Sequence, residues 1–344
     1  MGRNIAIDLG TASVLVYVEG EGIVMREPSV VAVNKREKRV LAVGTEANRM
    51  IGRTSGEIIA VRPLRDGVIA DFEVTEAMLR YFMRAALRRC SALWRKPSKA
   101  VICVPCGVTE VEKRSVEMAA RRAGVRDAFI AEEPMAAALG AGLPVSEPIG
   151  SMVVDIGGGT TEMAVISLNG IVVSESLRIA GDRMDELIIA HARKKYSLAM
   201  GEKTAEEVKI VLGTAMPPRS NDIYEVRGRS LKNGLPVTVH YTARDAYEAL
   251  GDIVQKIIEY IRNLLEETPP EIMGDILHGG ITLTGGGALL RDLDIAINRE
   301  TGIPVYIAQN PLDCVVLGAG MMLSSITSYC PSRSRRKQRG EPRR

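Results

Sequence analysis

At 344 residues, 46% hydrophobic and 25% charged, the chain has the composition of a globular protein long enough for two cores of ordinary size. No run approaches the roughly 18 to 20 apolar residues of a membrane-spanning helix. Met1-Gly2-Arg3 leads straight into a strand pattern without a signal-peptide core, so the chain is expected to stay in the cytoplasm. The net charge of +3 is a local matter, because residues 332–344 hold seven Lys or Arg and one Glu, a local +6, and the rest carries −3. That tail, with Pro331, Gly340 and Pro342 around it and no apolar periodicity, reads as disordered; anionic lipid, nucleic acid or no partner at all would suit it. The five cysteines, an odd number without an export signal, read as reduced thiols, including Cys103-Val104-Pro105-Cys106, whose spacing has no second pair to complete a zinc site.

The first element is a hydrophobic strand, Ile5-Ala6-Ile7, an acid, Asp8, and a glycine turn, Leu9-Gly10-Thr11, followed by a returning strand over Val14–Val18. Strands near Ser29–Val33 and Val40–Val43 come next, then a helix over Thr75–Cys90 and a strand over Ala100–Val104. A second helix starts at Thr109, which with Glu112 makes a capping-box pattern. Pro134 stands at the first position of a helix rich in Ala136, Ala137 and Ala138. Strands alternating with helices predict α/β layers. The turn-rich stretch Leu143–Pro148 marks the boundary between two halves.

The opening pattern then returns: Met152-Val153-Val154, Asp155, Ile156-Gly157-Gly158-Gly159-Thr160-Thr161, and a strand through Met163–Ile166. Farther on, Thr204 and Glu207 predict a capping box opening a helix over Ala205–Leu212. Residues Pro217–Tyr241 read as a small β-rich insertion, and an amphipathic helix spans Ala243–Glu266 before Pro269-Pro270. A strand over Gly280–Thr284 feeds Gly285-Gly286-Gly287-Ala288 and a helix, an arrangement that suits an anion.

No GxxxxGK[ST] segment occurs, so a Walker-type site is excluded. The duplicated Asp-Gly-Thr hairpins offer an alternative: glycine lets backbone amides approach phosphate oxygens. Thr11, Ser13, Thr160 and Thr161 add hydroxyls, and Asp8 and Asp155 suit a magnesium ion held through water. Two such hairpins facing each other could hold one polyphosphate from both sides. Glu133, beside Glu132 at the helix start, either complements the helix dipole or orients a water for attack on a terminal phosphate. The single Trp, in Leu93-Trp94, lies among Arg88, Arg89, Arg95, Lys96 and Lys99; it is either packed on its own domain or set at a membrane interface.

Together, Asp8–Ala12, Glu27-Pro28-Ser29-Val30-Val31, Arg62–Ile69, Glu132–Ala138, Asp155–Thr161, Thr204–Glu207 and Thr284–Leu290 resemble the MreB family of bacterial actins, over about Asn4–Ser325. The resemblance implies an α/β, actin-like ATPase fold: two ribonuclease-H-like domains, each with a small subdomain, around a nucleotide cleft. The domains would span 1–147 (small subdomain about 33–65) and 148–330 (about 182–242), with 331–344 a basic tail. It implies ATP and Mg2+ as cofactors. Asp8, Gly10, Thr11, Ala12 and Ser13, with Gly157, Gly158, Gly159, Thr160 and Thr161, would bind the β- and γ-phosphates. Glu206, Glu207 and Lys209 would reach the ribose and adenine, and Gly285, Gly286, Gly287 and Ala288 the α-phosphate side. Glu133 matches the family's water-positioning acid, Asp155 would assist the water or the metal, and Leu93-Trp94 matches its membrane loop.

The implied function is slow ATP hydrolysis coupled to assembly of homopolymer filaments on the inner face of the cell membrane, where they organise the cell-wall elongation machinery and set rod shape. Nucleic acid is not an expected partner. The chain departs from the family's usual pattern at Ser13, Cys106 and Ala180. The competing expectation is a small-molecule kinase of the same fold, such as a sugar kinase, which would need a further carboxylate base.

Overall fold

The computed structural model describes residues 4–37, 39–54, 56–89 and 98–326. Its residues fall into two units: those of 1–149, 166–172 and 313 onward make the first, and those of 150–165 and 173–312 the second.

In the first unit, β1 (Ile5–Leu9), β2 (Ser13–Val18) and β3 (Gly22–Pro28) precede a three-stranded piece made of β4 (Val31–Asn34), β5 (Arg39–Val43) and β6 (Ile58–Val61), with the short helix α1 (Thr45–Asn48) between the last two. Then come the hairpin β7 (Leu64–Arg65) and β8 (Val68–Ile69), α2 (Phe72–Arg89), β9 (Lys99–Val104), α3 (Glu110–Ala123), β10 (Asp127–Glu132) and α4 (Glu133–Gly140). The main sheet runs β10-β9-β1-β2-β3; β1 is parallel to β9 and antiparallel to β2. The period of two along β1 sends Ile5, Ile7 and Leu9 into one core with Met78, Leu79 and Phe82 of α2 and Ala119 and Ala120 of α3. Thr109 caps α3 as its pattern predicts, its side chain accepting from the Glu112 amide.

Apart from residues 166–172, which fall in the first unit, the second unit repeats the plan with β11 (Ser151–Ile156), β12 (Thr161–Ser167), β13 (Gly170–Leu177), α5 (Gly181–Tyr196), β14 (Leu198–Ala199) and α6 (Glu202–Leu212). The hairpin β15 (Ile223–Ser230) and β16 (Pro236–Thr242) follows, with α7 (Ala243–Glu267), α8 (Pro270–Gly279), β17 (Ile281–Thr284), α9 (Leu293–Thr301) and β18 (Val305–Ile307). Its main sheet runs β18-β17-β11-β12-β13, the same arrangement as the first sheet with β11 in the place of β1 and β17 in that of β9. The amphipathic helix α7 buries eleven residues, among them Leu250, Ile253, Ile257 and Ile261, each worth about 1.5–3 kcal/mol of transfer free energy. It is capped by Thr242 with Asp245.

The last helix, α10 (Cys314–Met322), belongs to the first unit and packs on α4. Their backbones meet without side chains between them: a Cβ on Gly140 would lie 1.8 Å from the Cys314 carbonyl oxygen, and one on Gly318 would lie 1.9 Å from that of Ala136. Glycine at both crossing points is therefore a packing requirement.

Two expectations need correction, and one motif residue proves to have a task the sequence left open. Thr204 and Glu207 form no capping box, because the helix starts earlier: α6 begins at Glu202 after Gly201, whose carbonyl already accepts from the Ala205 amide at 3.1 Å. The segment after Gly285 is a single 3-10 turn, Gly286–Leu289, and the α-helix opens only at Leu293. Glu27, in the Glu27–Val31 motif, has a structural task, its Oε2 accepting from the Thr45 amide at 2.8 Å and hydroxyl at 2.7 Å at the start of α1.

Candidate functional site

In the first unit the turn between β1 and β2 is built on Gly10, where a Cβ would lie 2.9 Å from the Ser13 carbonyl oxygen. Asp8 sits near the end of β1, paired in register with Leu15 on β2 and Cys103 on β9. The Ala12 carbonyl accepts from the Ser29 amide at 2.9 Å, tying the turn to the end of β3. Thr11 is buried, and its Oγ1 accepts from the Gly67 amide at 3.1 Å. Gly67 and Asp66, both at positive φ, form the two-residue turn of the β7–β8 hairpin. Because that bond uses an acceptor lone pair, the Thr11 proton remains available to a ligand.

Glu133 opens α4 and is buried, with Pro134, Met135 and Ala136–Ala138 buried behind it. It stands in the first turn of the helix, at the end where an acid complements the helix dipole.

In the second unit β11 ends at Asp155-Ile156 and the chain turns through Gly157-Gly158-Gly159-Thr160. The Gly157 amide donates to the Thr160 carbonyl at 2.9 Å, closing the turn. The first amides of α5 take up the loop's own carbonyls, Gly181 donating to Gly157 at 3.2 Å and Asp182 to Gly158 at 2.8 Å. Three carbonyl oxygens that would repel a phosphate are thereby engaged within the protein. Thr161, expected to offer its hydroxyl to phosphate, is instead fully buried and donates it to the Ile179 carbonyl at 2.6 Å.

Asp155 is buried and lies opposite Thr284 in the β11–β17 register, with the Thr284 hydroxyl donating to Oδ1 at 2.6 Å. Burial pushes the Asp155 carboxyl up to about 6, and the Thr284 hydrogen bond pulls the other way. Gly285 has φ +78, and a Cβ there would lie 2.3 Å from the Ile156 carbonyl oxygen; one on Gly287 would lie 2.2 Å from Ile156 Cγ2. The two glycine turns thus close on the residue between Asp155 and Gly157.

On α6, Glu206 and Glu207 are exposed, and Glu207 accepts from the Tyr224 hydroxyl at 3.0 Å. Lys209 turns inward, its Nζ 2.9 Å from the Gly181 carbonyl oxygen and 2.9 and 3.1 Å from the two oxygens of Asp185. Asp185 drew no attention in the sequence. An acid four residues into α5, on the same face as its first residue, was the available signal. Leu93, Trp94 and the tail lie outside the described residues. Among the described residues no helix is long and apolar enough to cross a membrane.

The family model described as MreB/Mbl protein matches residues 2–330. The chain is 48% identical over 324 residues to the cell shape-determining protein Mbl of Bacillus subtilis (strain 168), covering 94% of this chain and 96% of that one. It is 50% identical over 331 residues to the cell shape-determining protein MreB of Escherichia coli (strain K12), covering 95% of each. Among solved structures, MreB5 of Spiroplasma citri bound to AMPPNP is 37% identical with a TM-score of 0.89, over 95% of this chain and 97% of that one. The MamK double helical filament, 23% identical over 94% of this chain and 99% of that one, shares the fold with a TM-score of 0.80. The fold is the actin-like α/β fold, and the chain belongs to the MreB/Mbl family.

Proposed function

We propose that this chain is an ATP-binding cytoskeletal protein that assembles into filaments and acts in setting cell shape. The observation that carries the reading is the constellation around Ile156: a buried acid, Asp155, flanked by two glycine turns, with the carbonyls of Gly157, Gly158 and Thr160 drawn away into hydrogen bonds. Such a turn suits phosphate oxygens, and a strand-end acid beside it suits phosphoryl transfer. Relatives support the extension, since MreB5 is described bound to AMPPNP and to ADP, and Mbl and MreB are named cell shape-determining proteins.

In this reading Asp8 and Gly10–Ser13 from the first unit, and Gly157–Thr160 with the Thr161 backbone from the second, bind the β- and γ-phosphates. Gly285–Ala288 serve the α-phosphate side, and Glu206 and Glu207 the ribose and adenine, beside Lys209, whose ammonium is engaged by Gly181 and Asp185. Glu133 orients the attacking water, and Asp155 assists it. The donor fits magnesium: Asp155 is a buried carboxylate whose hydrogen bond comes from a neutral hydroxyl, so a nearby cation would offset its burial. Bound magnesium would neutralise phosphate charge, and in this reading Asp155 and Asp8 would each meet it through water. Leu93 and Trp94 anchor the filament to the inner face of the cell membrane, where it organises the wall-elongation machinery.

The test combines calorimetric titration of ATP with magnesium, pelleting with and without ATP, and negative-stain microscopy on anionic vesicles for the wild type and Trp94→Ala. The reading expects saturable ATP heat, nucleotide-dependent filaments, and vesicle coating that the variant loses. A chain that takes up no ATP, or that never assembles, would sink it; equal coating by Trp94→Ala would remove the membrane assignment alone.

A further inference from the structure

We propose that Asp185 is a positioning residue for nucleotide binding: it holds the Lys209 ammonium against the Gly181 carbonyl and so braces the Gly157–Gly158 turn through the start of α5. The inference rests on the nucleotide reading above, and its residues all lie in the second unit. Lys209 Nζ is 2.9 Å from the Gly181 carbonyl oxygen; the Gly181 amide donates to Gly157 at 3.2 Å and the next amide, of Asp182, to Gly158 at 2.8 Å. Helix α6, the first turn of α5 and the glycine turn are therefore linked in series, with Gly181 as the common member. A Cβ at Gly181 would lie 3.3 Å from both the Gly157 oxygen and Lys209 Nζ, a tight contact with each.

Electrostatics explain why an acid is needed there. The N-terminus of α5 carries the positive end of the helix dipole, which repels an ammonium, and a lysine without a counter-charge would extend into solvent. Asp185, one turn into α5, supplies that charge at 2.9 Å, and only 17% of the Lys209 side chain and 13% of the Asp185 side chain remain exposed. The Asp185 Oδ1 atom is occluded and makes no hydrogen bond among the described residues, so the ammonium beside it is what compensates its burial. Burial pushes the Asp185 carboxyl up to about 6, Lys209 opposes the shift, and Glu206 and Asp182 add to it. Asp185 thus brings a carboxylate close to a turn assigned to phosphates. A carboxylate serving no positioning role would only weaken binding of a polyanion.

That contrast gives opposite expectations for Asp185→Asn. As mere background charge, its removal tightens ATP binding; as a positioning residue, its removal frees Lys209 and weakens ATP binding about tenfold, as loss of a charge-assisted hydrogen bond would. The full-length chain is titrated with ATP and magnesium by calorimetry as wild type, Asp185→Asn, Lys209→Met and the double variant Asp185→Leu with Lys209→Met, each checked by thermal melting. The double variant replaces a buried ion pair with apolar side chains, a change that often leaves stability intact. Expected are similar losses in both single variants and no larger loss in the folded double variant. Unchanged or tighter binding by Asp185→Asn, a double-variant loss equal to the two single losses multiplied, or wild-type affinity in the double variant would overturn the assignment. Absence of ATP binding by the wild type would instead refute the nucleotide reading on which it rests.

Discussion

Arg26 and Asp313, 287 residues apart in the chain, form a two-point ion pair, with Nε 3.0 Å from Oδ1 and a terminal nitrogen 2.8 Å from Oδ2. The pair fastens the residue before α10 to β3, so the Asp313 carboxylate serves Arg26 and makes no side-chain cap on its own helix. Beyond it, α10 meets α4 backbone to backbone at Gly318 and Gly140. The Arg26 side chain is 56% exposed, so Arg26→Ala should cost less than about 1 kcal/mol. Gly318→Ala should cost about 1–3 kcal/mol or more, because its Cβ meets backbone that cannot rotate away. Urea denaturation separates the two; equal midpoints for both variants would show that the helix crossing tolerates a methyl group.

A second network secures the start of α7. Asp245, 1% exposed, accepts at 2.8 Å from the Thr242 amide, the Thr242 hydroxyl and the Tyr196 hydroxyl, and forms an ion pair with Lys195, which also reaches Glu248. Asp245→Ala removes the cap and strands several donors at once, so a loss of about 3–5 kcal/mol is expected. Lys195→Met leaves three neutral donors on the carboxylate and should cost about 1–2 kcal/mol. Thermal melts in which the lysine variant is the worse of the two would contradict this ranking.

His191, next to that network, should make stability pH-dependent. Its Nδ1 lies 2.7 Å from the Tyr241 hydroxyl oxygen and its Nε2 3.7 Å from Glu248. Burial holds its pKa below the ordinary value, while Asp245 and Glu248 pull it up and Lys195 pushes it down. The folded state therefore binds this proton less tightly than the unfolded chain, and its contribution to stability is lost as pH falls through about 6.5. Asp155 and Asp185, both raised by burial, act in the opposite sense, because folding favours their protonated forms. The informative quantity is the difference between wild type and His191→Gln: the wild type should lose more unfolding free energy between about pH 7.5 and 5.5. Parallel curves would rule out His191 as the source.

What the sequence made legible was mostly what short stretches decide. The two hydrophobic strands with Asp8 and Asp155 at their ends, the turns at Gly10 and Gly157, the Thr109–Glu112 cap and the amphipathic α7 depend on neighbours within a few residues. Features set by distant partners were hidden. Glu27 caps a helix that begins 18 residues later, and nothing local marks it. The Thr161 hydroxyl donates to the carbonyl of Ile179, a partner 18 residues away that no local pattern announces. Thr204 and Glu207 matched a capping pattern, yet Gly201 offered an earlier start. The Lys209–Asp185 pair required two helices to come together before either charge had meaning.

Gly285 and Gly302 allow strain and site geometry to be separated. Both adopt positive φ, +78 and +72, where any L side chain is strained by about 1 kcal/mol. A Cβ at Gly302 meets nothing within 4 Å, whereas one at Gly285 lies 2.3 Å from the Ile156 carbonyl oxygen. Gly302→Ala should therefore lower stability by about 1 kcal/mol and leave ATP affinity as it is. Gly285→Ala must move either its own turn or Ile156, which stands between Asp155 and Gly157, and so disturbs the proposed phosphate-binding turn from behind. An ATP affinity at least about tenfold weaker is expected for a displacement of that kind. Calorimetric titration at a temperature where melts show both variants folded makes the comparison. If Gly285→Ala binds ATP as tightly as Gly302→Ala, the two glycine turns do not act together on a nucleotide.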